Sequence, residues 1–158
     1  MTKGGKLIGG IFKGETINTI SMLVIEDVID AMEWGVSVGG LKGLQARADA
    51  NAKVLADWVA RTDWIANLAK DPGTASNTSV CLSIVDPAIT ALSAEDQAAF
   101  AKRMVAQLDK QNVAYDLGAY RDAPPGLRIW CGSTVEASDL EKLTPWLDWA
   151  FAEEKAAL

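Results

Sequence analysis

VAYDLGAYRDAPPGLRIWCG, residues 113–132, reads as two extended runs, Val113 to Gly118 and Leu127 to Cys131, joined by a tight turn. Paired prolines at 124 and 125 fix the backbone of the DAPPG turn, and Gly126 frees it again. Two of the five arginines, Arg121 and Arg128, flank that turn, which sets the separation of their guanidinium groups. Arg128 lies inside LRIWC, an otherwise apolar run. A guanidinium fork held beside apolar walls suits bidentate capture of a carboxylate. Two readings stand on spacing alone: an anion clamp, or a strand-edge arginine paired with an internal Asp or Glu, which is the commoner situation.

Outward from this stretch, 158 residues provide one domain's worth of core. The chain is 49% hydrophobic and 23% charged with a formal net charge of -6, a globular composition without the basic footprint that nucleic acid requires. No apolar run reaches the roughly 18 to 20 residues that span a bilayer, and the first thirteen residues carry no signal-peptide pattern, so a cytoplasmic protein is expected, with neither membrane nor nucleic acid as partner. Cys81 and Cys131 each sit in an apolar strand-like run, which predicts buried free thiols. The sequence has no histidine, which removes Ser-His and Cys-His nucleophile pairs and the usual zinc sets, and no metal site is expected.

The opening MTKGGKLIGGIFKG is glycine- and lysine-rich, but Glu15 and Thr16 stand where a phosphate loop needs Lys and Ser/Thr. It reads as a connecting segment that wraps over another surface. Thr19 or Ser21 can cap a helix running to about Val38 with Ile25, Val28, Ile29 and Met32 on one face. Ile17, Asn18 and Thr19 at its start offer an amide, a hydroxyl and free N–H groups, which make either an anion site or an ordinary cap. Gly39-Gly40 breaks the helix. A second helix follows from Leu41 to about Arg61 with Leu41, Leu44, Ala48, Leu55 and Val59 inward.

Trp64 to Lys70 and Thr78 to Val85 read as strands joined by DPGTASN, ended by Asp86-Pro87. Ser93 with Asp96 caps a helix to about Gln111 that buries Phe100, Met104 and Leu108. Ser138 with Glu141 spells another capping box. It opens a last helix with Leu140, Leu143, Leu147, Ala150 and Phe151 inward and EEKAAL fraying. Pro145 either kinks that helix or sits at the first position of a segment recapped by Thr144. Several of the six tryptophans are expected between helices and sheet. The order α, α, β, β, α, β, β, α predicts a two-layer α+β domain with a mostly antiparallel four-stranded sheet covered by helices.

The wording AYRDAPPGLRIWCGSTVEASDLEKLTPWLDWAF, with TKGGKLI, FKGETINT, LKGLQARADANAKVLADWV, WIANLA and SNTSVCL before it, resembles the C-terminal part of phosphoserine aminotransferases. These are pyridoxal-phosphate-dependent enzymes of fold type I, class V, and the alphaproteobacterial form is the most similar. The resemblance implies that residues 1–38 are a lead-in segment and first helix packing against a large domain, and that residues 39–158 are the small α+β domain. It implies that Arg128 binds the substrate α-carboxylate, that Arg121 helps hold the phosphate of phosphoserine, and that Asn18 and Thr19 look across a homodimer interface to the cofactor phosphate. Tyr120 stands where many relatives have histidine, and Ile20 where proline is usual. None of the ten lysines matches the family's Schiff-base motif, so no catalytic residue is assigned to this chain.

The function so implied is that of a C-terminal domain in an enzyme moving an amino group between glutamate and 3-phosphohydroxypyruvate in serine biosynthesis, inactive alone. The alternative is a stand-alone small-anion-binding or dimerisation module.

Overall fold

The computed structural model describes residues 2–16 and 18–158, with the backbone alone at Ile11. By contact the chain divides into two compact units, residues 1–41 and 42–158.

In the first unit, β1 (Thr2–Lys3) and β2 (Lys6–Leu7) pair antiparallel around Gly4 and Gly5, whose positive φ values of 59° and 76° make the turn. A 3-10 turn over Gly9–Lys13 leads towards α1 (Met22–Ser37). Of the two candidate caps the structure selects Ser21, which is extended at the N-cap but makes no side-chain cap hydrogen bond. The apolar positions of α1 are not covered within this unit: Leu23, Val24, Val28, Ile29, Met32 and Val36 are exposed, and Gly35 is the helix's one buried residue. Leu7, Ile8 and Phe12 are exposed as well. Gly39 and Gly40, at φ of 101° and 63°, end α1 and let α2 (Gly40–Val59) begin at once.

The second unit is built on a three-stranded antiparallel sheet of order β3-β4-β5, with β3 at Ile65–Asn67, β4 at Ser79–Ile84 and β5 at Gly126–Trp130. Val80 pairs with Ile129, Leu82 with Leu127 and Ile84 with Ile65, so paired apolar residues share one face. That face joins Leu55 and Trp58 of α2, Phe100, Met104 and Leu108 of α4 (Ala94–Lys110), and Leu140, Leu143, Leu147, Ala150 and Phe151 of α5 (Ala137–Ala156) in one buried cluster. The other face carries Ser79, Cys81 and Ser83 of β4 opposite Trp130, Arg128 and Gly126 of β5. The α+β class and the mostly antiparallel sheet are as expected. The run 113–118 contributes only one bridge, between Gly118 and Leu127, in place of a fourth strand. Asn112 and Asp116 both take left-handed φ of 55°, which prevents a continuous ladder there.

Gly126 is required by proximity rather than by conformational freedom. A Cβ there would lie 2.1 Å from the Leu82 carbonyl oxygen across the ladder. Asp86-Pro87 does more than end a strand: the Asp86 carboxylate accepts from the Ala88 N–H at 2.9 Å and Pro87 opens a short helix, α3 (Pro87–Thr90). Ser93 caps α4 as expected, accepting from the Asp96 N–H at 3.1 Å. The second capping box does not form, because Glu136 is the N-cap of α5 and Ser138 lies inside the helix.

Pro145 is also inside α5, which runs through it. The Glu141 carbonyl four residues earlier loses its N–H partner to the proline ring and instead accepts the Thr144 hydroxyl at 3.2 Å. The end of α5 is tied down, contrary to the expected fraying. Glu154 is buried, accepts from Arg103 at 2.6 Å and from Gln107, and Lys155 donates to Asp86 at 2.7 Å.

Trp58 and Trp64 are buried and both donate their indole N–H to Asp148, at 3.2 and 3.0 Å, while Trp64 stacks on Phe151 with centroids 4.3 Å apart. Trp130 and Trp146 are exposed. Cys81 and Cys131 are free thiols, and burial pushes the Cys131 thiol above its ordinary pKa.

Candidate functional site

Arg128 is the central residue of β5, opposite Cys81, on the sheet face away from the helical core. Its backbone N–H donates to the Leu117 carbonyl at 2.9 Å, extending the register of the Gly118 bridge by one residue. That register sets Leu117 opposite Arg128, and Asp116, next along the chain and left-handed at φ 55°, lies beside the guanidinium. Nη2 of Arg128 donates to the Asp116 carboxylate at 2.7 Å and lies 3.4 Å from its backbone carbonyl. The Tyr120 ring faces the guanidinium carbon at 4.6 Å from its centroid, a cation–π stack that fixes the plane of the fork.

The two partners of this ion pair differ sharply in environment: the Arg128 side chain is 13% exposed and that of Asp116 is 83% exposed. The Asp116 hydrogen bond holds the guanidinium charged more firmly than usual, with burial acting against it. Nε of Arg128 is buried without a hydrogen-bond partner, as is the Ser79 hydroxyl at the far end of β4. A buried, unpaired N–H on a cation is costly in the free protein and is satisfied when an acceptor arrives.

Arg121 is 94% exposed, and its ion-pair partner is its chain neighbour Asp122 at 3.7 Å. It lines a cleft of about 390 Å³ with Tyr120, Ala123 and Pro125 on one side and Ala98, Lys102 and Val105 of α4 on the other. Arg128 is not on the wall of that cleft, so the structure shares Tyr120 between the two arginines without setting their forks side by side. Asn18 and Thr19 belong to the first unit, where both are exposed ahead of the Ser21 cap. Thr19 is not the cap residue.

The loop that follows β5 is gripped from α2. The Asn51 side chain is buried and its Nδ2 donates to the carbonyls of Cys131, Gly132 and Val135 at 3.2, 3.0 and 2.8 Å. Arg47, one turn earlier, donates to the Ser133 carbonyl at 2.7 Å and to Glu136. Periodicity alone passed over Asn51 because an amide on an inward stripe of a helix reads as an interruption. The partners of Arg128 were missed for another reason. Pairing Gly118 with Leu127 across the turn sets Leu117, not Asp116, opposite Arg128; the left-handed backbone at 116, beside which the carboxylate meets the guanidinium, has no local sequence signal.

Among the described residues no cluster of potential metal ligands occurs and no helix is long and apolar enough to cross a membrane.

No family model matches the chain. Phosphoserine aminotransferases of Methanosarcina barkeri and Methanosarcina mazei are 48% and 47% identical to it over 151 residues, covering 96% of this chain. The chain spans 38% of the length of these relatives. Among solved structures, the phosphoserine aminotransferase of Bacillus circulans subsp. alkalophilus superposes with a TM-score of 0.73 at 18% identity, over 90% of this chain and 36% of that one. A phosphoserine aminotransferase structure concerned with radiation damage of the Schiff base superposes at 0.74 with 16% identity, over 96% of this chain and 40% of that one. Over nearly its whole length, then, the chain corresponds in sequence and in fold to the C-terminal part of phosphoserine aminotransferases.

Proposed function

We propose that this chain is the C-terminal, substrate-gripping part of a phosphoserine aminotransferase that transfers an amino group between glutamate and 3-phosphohydroxypyruvate in the cytoplasm. The observation that carries the reading is the Arg128 fork. It is fixed in plane by Tyr120, held at Nη2 by one exposed carboxylate, and presents a buried Nε with no partner. A fork so held can take the α-carboxylate of an amino acid through two parallel N–H···O bonds. Arg121, with no strong internal partner, is free to meet the phosphate of phosphoserine. Tyr120 stacks on Arg128 and lines the cleft that Arg121 also lines.

Pyridoxal phosphate, when bound, supplies the electron sink for amino transfer. Asn18 and Thr19 are exposed next to a helix whose N-cap side chain leaves its first-turn N–H groups uncapped, which fits a phosphate contributed by a second subunit of a homodimer. The exposed apolar residues of α1 support packing of residues 1–38 against a large domain, for which the additional length of the Methanosarcina relatives leaves room. In this arrangement the role of the chain is positioning: it orients the carboxylate and phosphate so that the reacting nitrogen is presented in one geometry.

The test is amino transfer by a protein that joins this chain to the remaining portion of a Methanosarcina relative. Arg128→Lys keeps the charge and loses the fork, and should lower kcat/KM for phosphoserine and glutamate alike by about 10- to 100-fold, the scale of a charged hydrogen bond. Arg121→Lys should lower it for phosphoserine and spare glutamate. Transfer that is indifferent to Arg128→Lys, with the fold intact by circular dichroism, would refute the proposal.

A further inference from the structure

Asp116 is an exposed carboxylate on a left-handed backbone, lying against the fork that the proposed function assigns to a ligand carboxylate. We propose that Asp116 is a built-in surrogate for that ligand: it occupies Nη2 of Arg128 in the free protein and is displaced when a bidentate carboxylate arrives, so that it sets the threshold for anion entry. This rests on the reading of Arg128 as a carboxylate clamp.

Three observations carry it. Nε and Nη2 form one edge of the guanidinium, the edge a carboxylate bridges with both oxygens. Asp116 satisfies only Nη2, through one carboxylate oxygen, and leaves Nε buried without a partner. A ligand carboxylate on the same edge therefore makes two bonds where Asp116 makes one, and it removes the unpaired N–H. Asp116 is also able to leave. Its side chain is solvated over most of its surface, so its carboxylate returns to water at little cost. Arg128 is not free to follow it, because Tyr120 stacks on the guanidinium and β4 and β5 hold its backbone. The displaced group is the mobile one and the receiving group is the fixed one, which is the arrangement an exchange requires.

The exchange also selects ligands. An anion that contacts one nitrogen gains nothing over Asp116, whereas a planar carboxylate gains the Nε bond. Asp116 is thereby a specificity-determining residue that disfavours simple anions.

The experiment is a titration of the full chain, 15N-labelled, with L-glutamate and separately with chloride, following the Arg128 Nε–H resonance assigned through its loss in Arg128→Lys. Asp116→Asn keeps a side chain that tolerates the left-handed backbone and removes the competing charge. Asp116→Gly removes the side chain at a φ that suits glycine. Both variants should bind glutamate more tightly than the parent by roughly three- to tenfold, between the effect of a screened surface ion pair and that of a charged hydrogen bond. Chloride should perturb Nε–H in the variants and not in the parent. If glutamate shifts Nε–H in the parent and both variants bind it equally or more weakly, the surrogate role is refuted and the clamp survives. If glutamate shifts Nε–H in none of the three proteins, the clamp reading and this inference fall together.

Discussion

Replacing Asn51 by alanine should loosen the second unit through a single buried amide. The Nδ2 group has two protons and three carbonyl acceptors at 2.8 to 3.2 Å, all in residues 131–135, and the side chain is fully enclosed. Each net hydrogen bond contributes about 0.5 to 1.5 kcal/mol, and a carbonyl left buried and unpaired costs about 1 to 3 kcal/mol, so Asn51→Ala should cost about 2 to 4 kcal/mol. For a unit of this size about 1 kcal/mol corresponds to roughly 4 °C, which places the drop in Tm at roughly 8 to 16 °C. Thermal unfolding by circular dichroism measures it, with urea unfolding as a check. Asn51→Asp is the sharper control: it keeps the shape but turns a donor into a charged acceptor facing three carbonyl oxygens, so it should cost at least as much at neutral pH and recover in part in acid, where the protonated carboxyl donates again. An Asn51→Ala Tm within about 3 °C of the parent, or an Asn51→Asp protein of parental stability at pH 7, would show that the loop is held by something other than this amide.

The Lys155 hydrogen bond at 2.7 Å holds the Asp86 carboxyl below its ordinary 3.8. A carboxyl depressed on folding stabilises the protein above its unfolded pKa and loses that contribution as pH falls through the lower folded value, so the effect sits below about pH 4. Lys155→Met should therefore flatten the acid limb of the stability–pH profile, and an unchanged limb by urea unfolding at pH 2 to 5 would contradict the assignment. The uncovered apolar residues of α1 predict self-association of the chain on its own, seen by light scattering and by binding of an apolar dye. Val28→Glu with Met32→Glu should abolish both signals, and a parent that stays monomeric at all concentrations without dye binding would count against the prediction.

The helical core was the most legible part of the fold. Phe100, Met104 and Leu108 in α4, and Leu140, Leu143, Leu147, Ala150 and Phe151 in α5, all lie where the 3.6-residue period places them, because burial of an apolar stripe is what holds a helix on the sheet. The same period placed an apolar stripe on α1, yet the chain leaves it exposed. Periodicity reports that a face wants cover, not which atoms provide it. Strand content was less legible between 113 and 118, where left-handed residues at 112 and 116 interrupt the ladder although the composition is apolar enough for a strand. At the candidate site, Arg128 stood out as a cation in an apolar run. Asp116 meets Arg128 through a left-handed backbone residue beside a long-range bridge, which no local pattern carries.

The two-residue alternation of β4 and β5 divides labour between the sides of the sheet. Residues 80, 82, 84, 127 and 129 are committed to the helices, while residues 79, 81, 83, 128 and 130 face the other way. Any exchange at the second set leaves the first set's packing untouched, so ligand preference can drift by single substitutions without passing through an unstable intermediate. A one-residue insertion in β5 ahead of Arg128 would do the reverse, sending Arg128 into the core and Ile129 out of it, and would destroy fold and recognition together. Descendants of this sequence are accordingly free to vary in what they grip and constrained in how long these strands are.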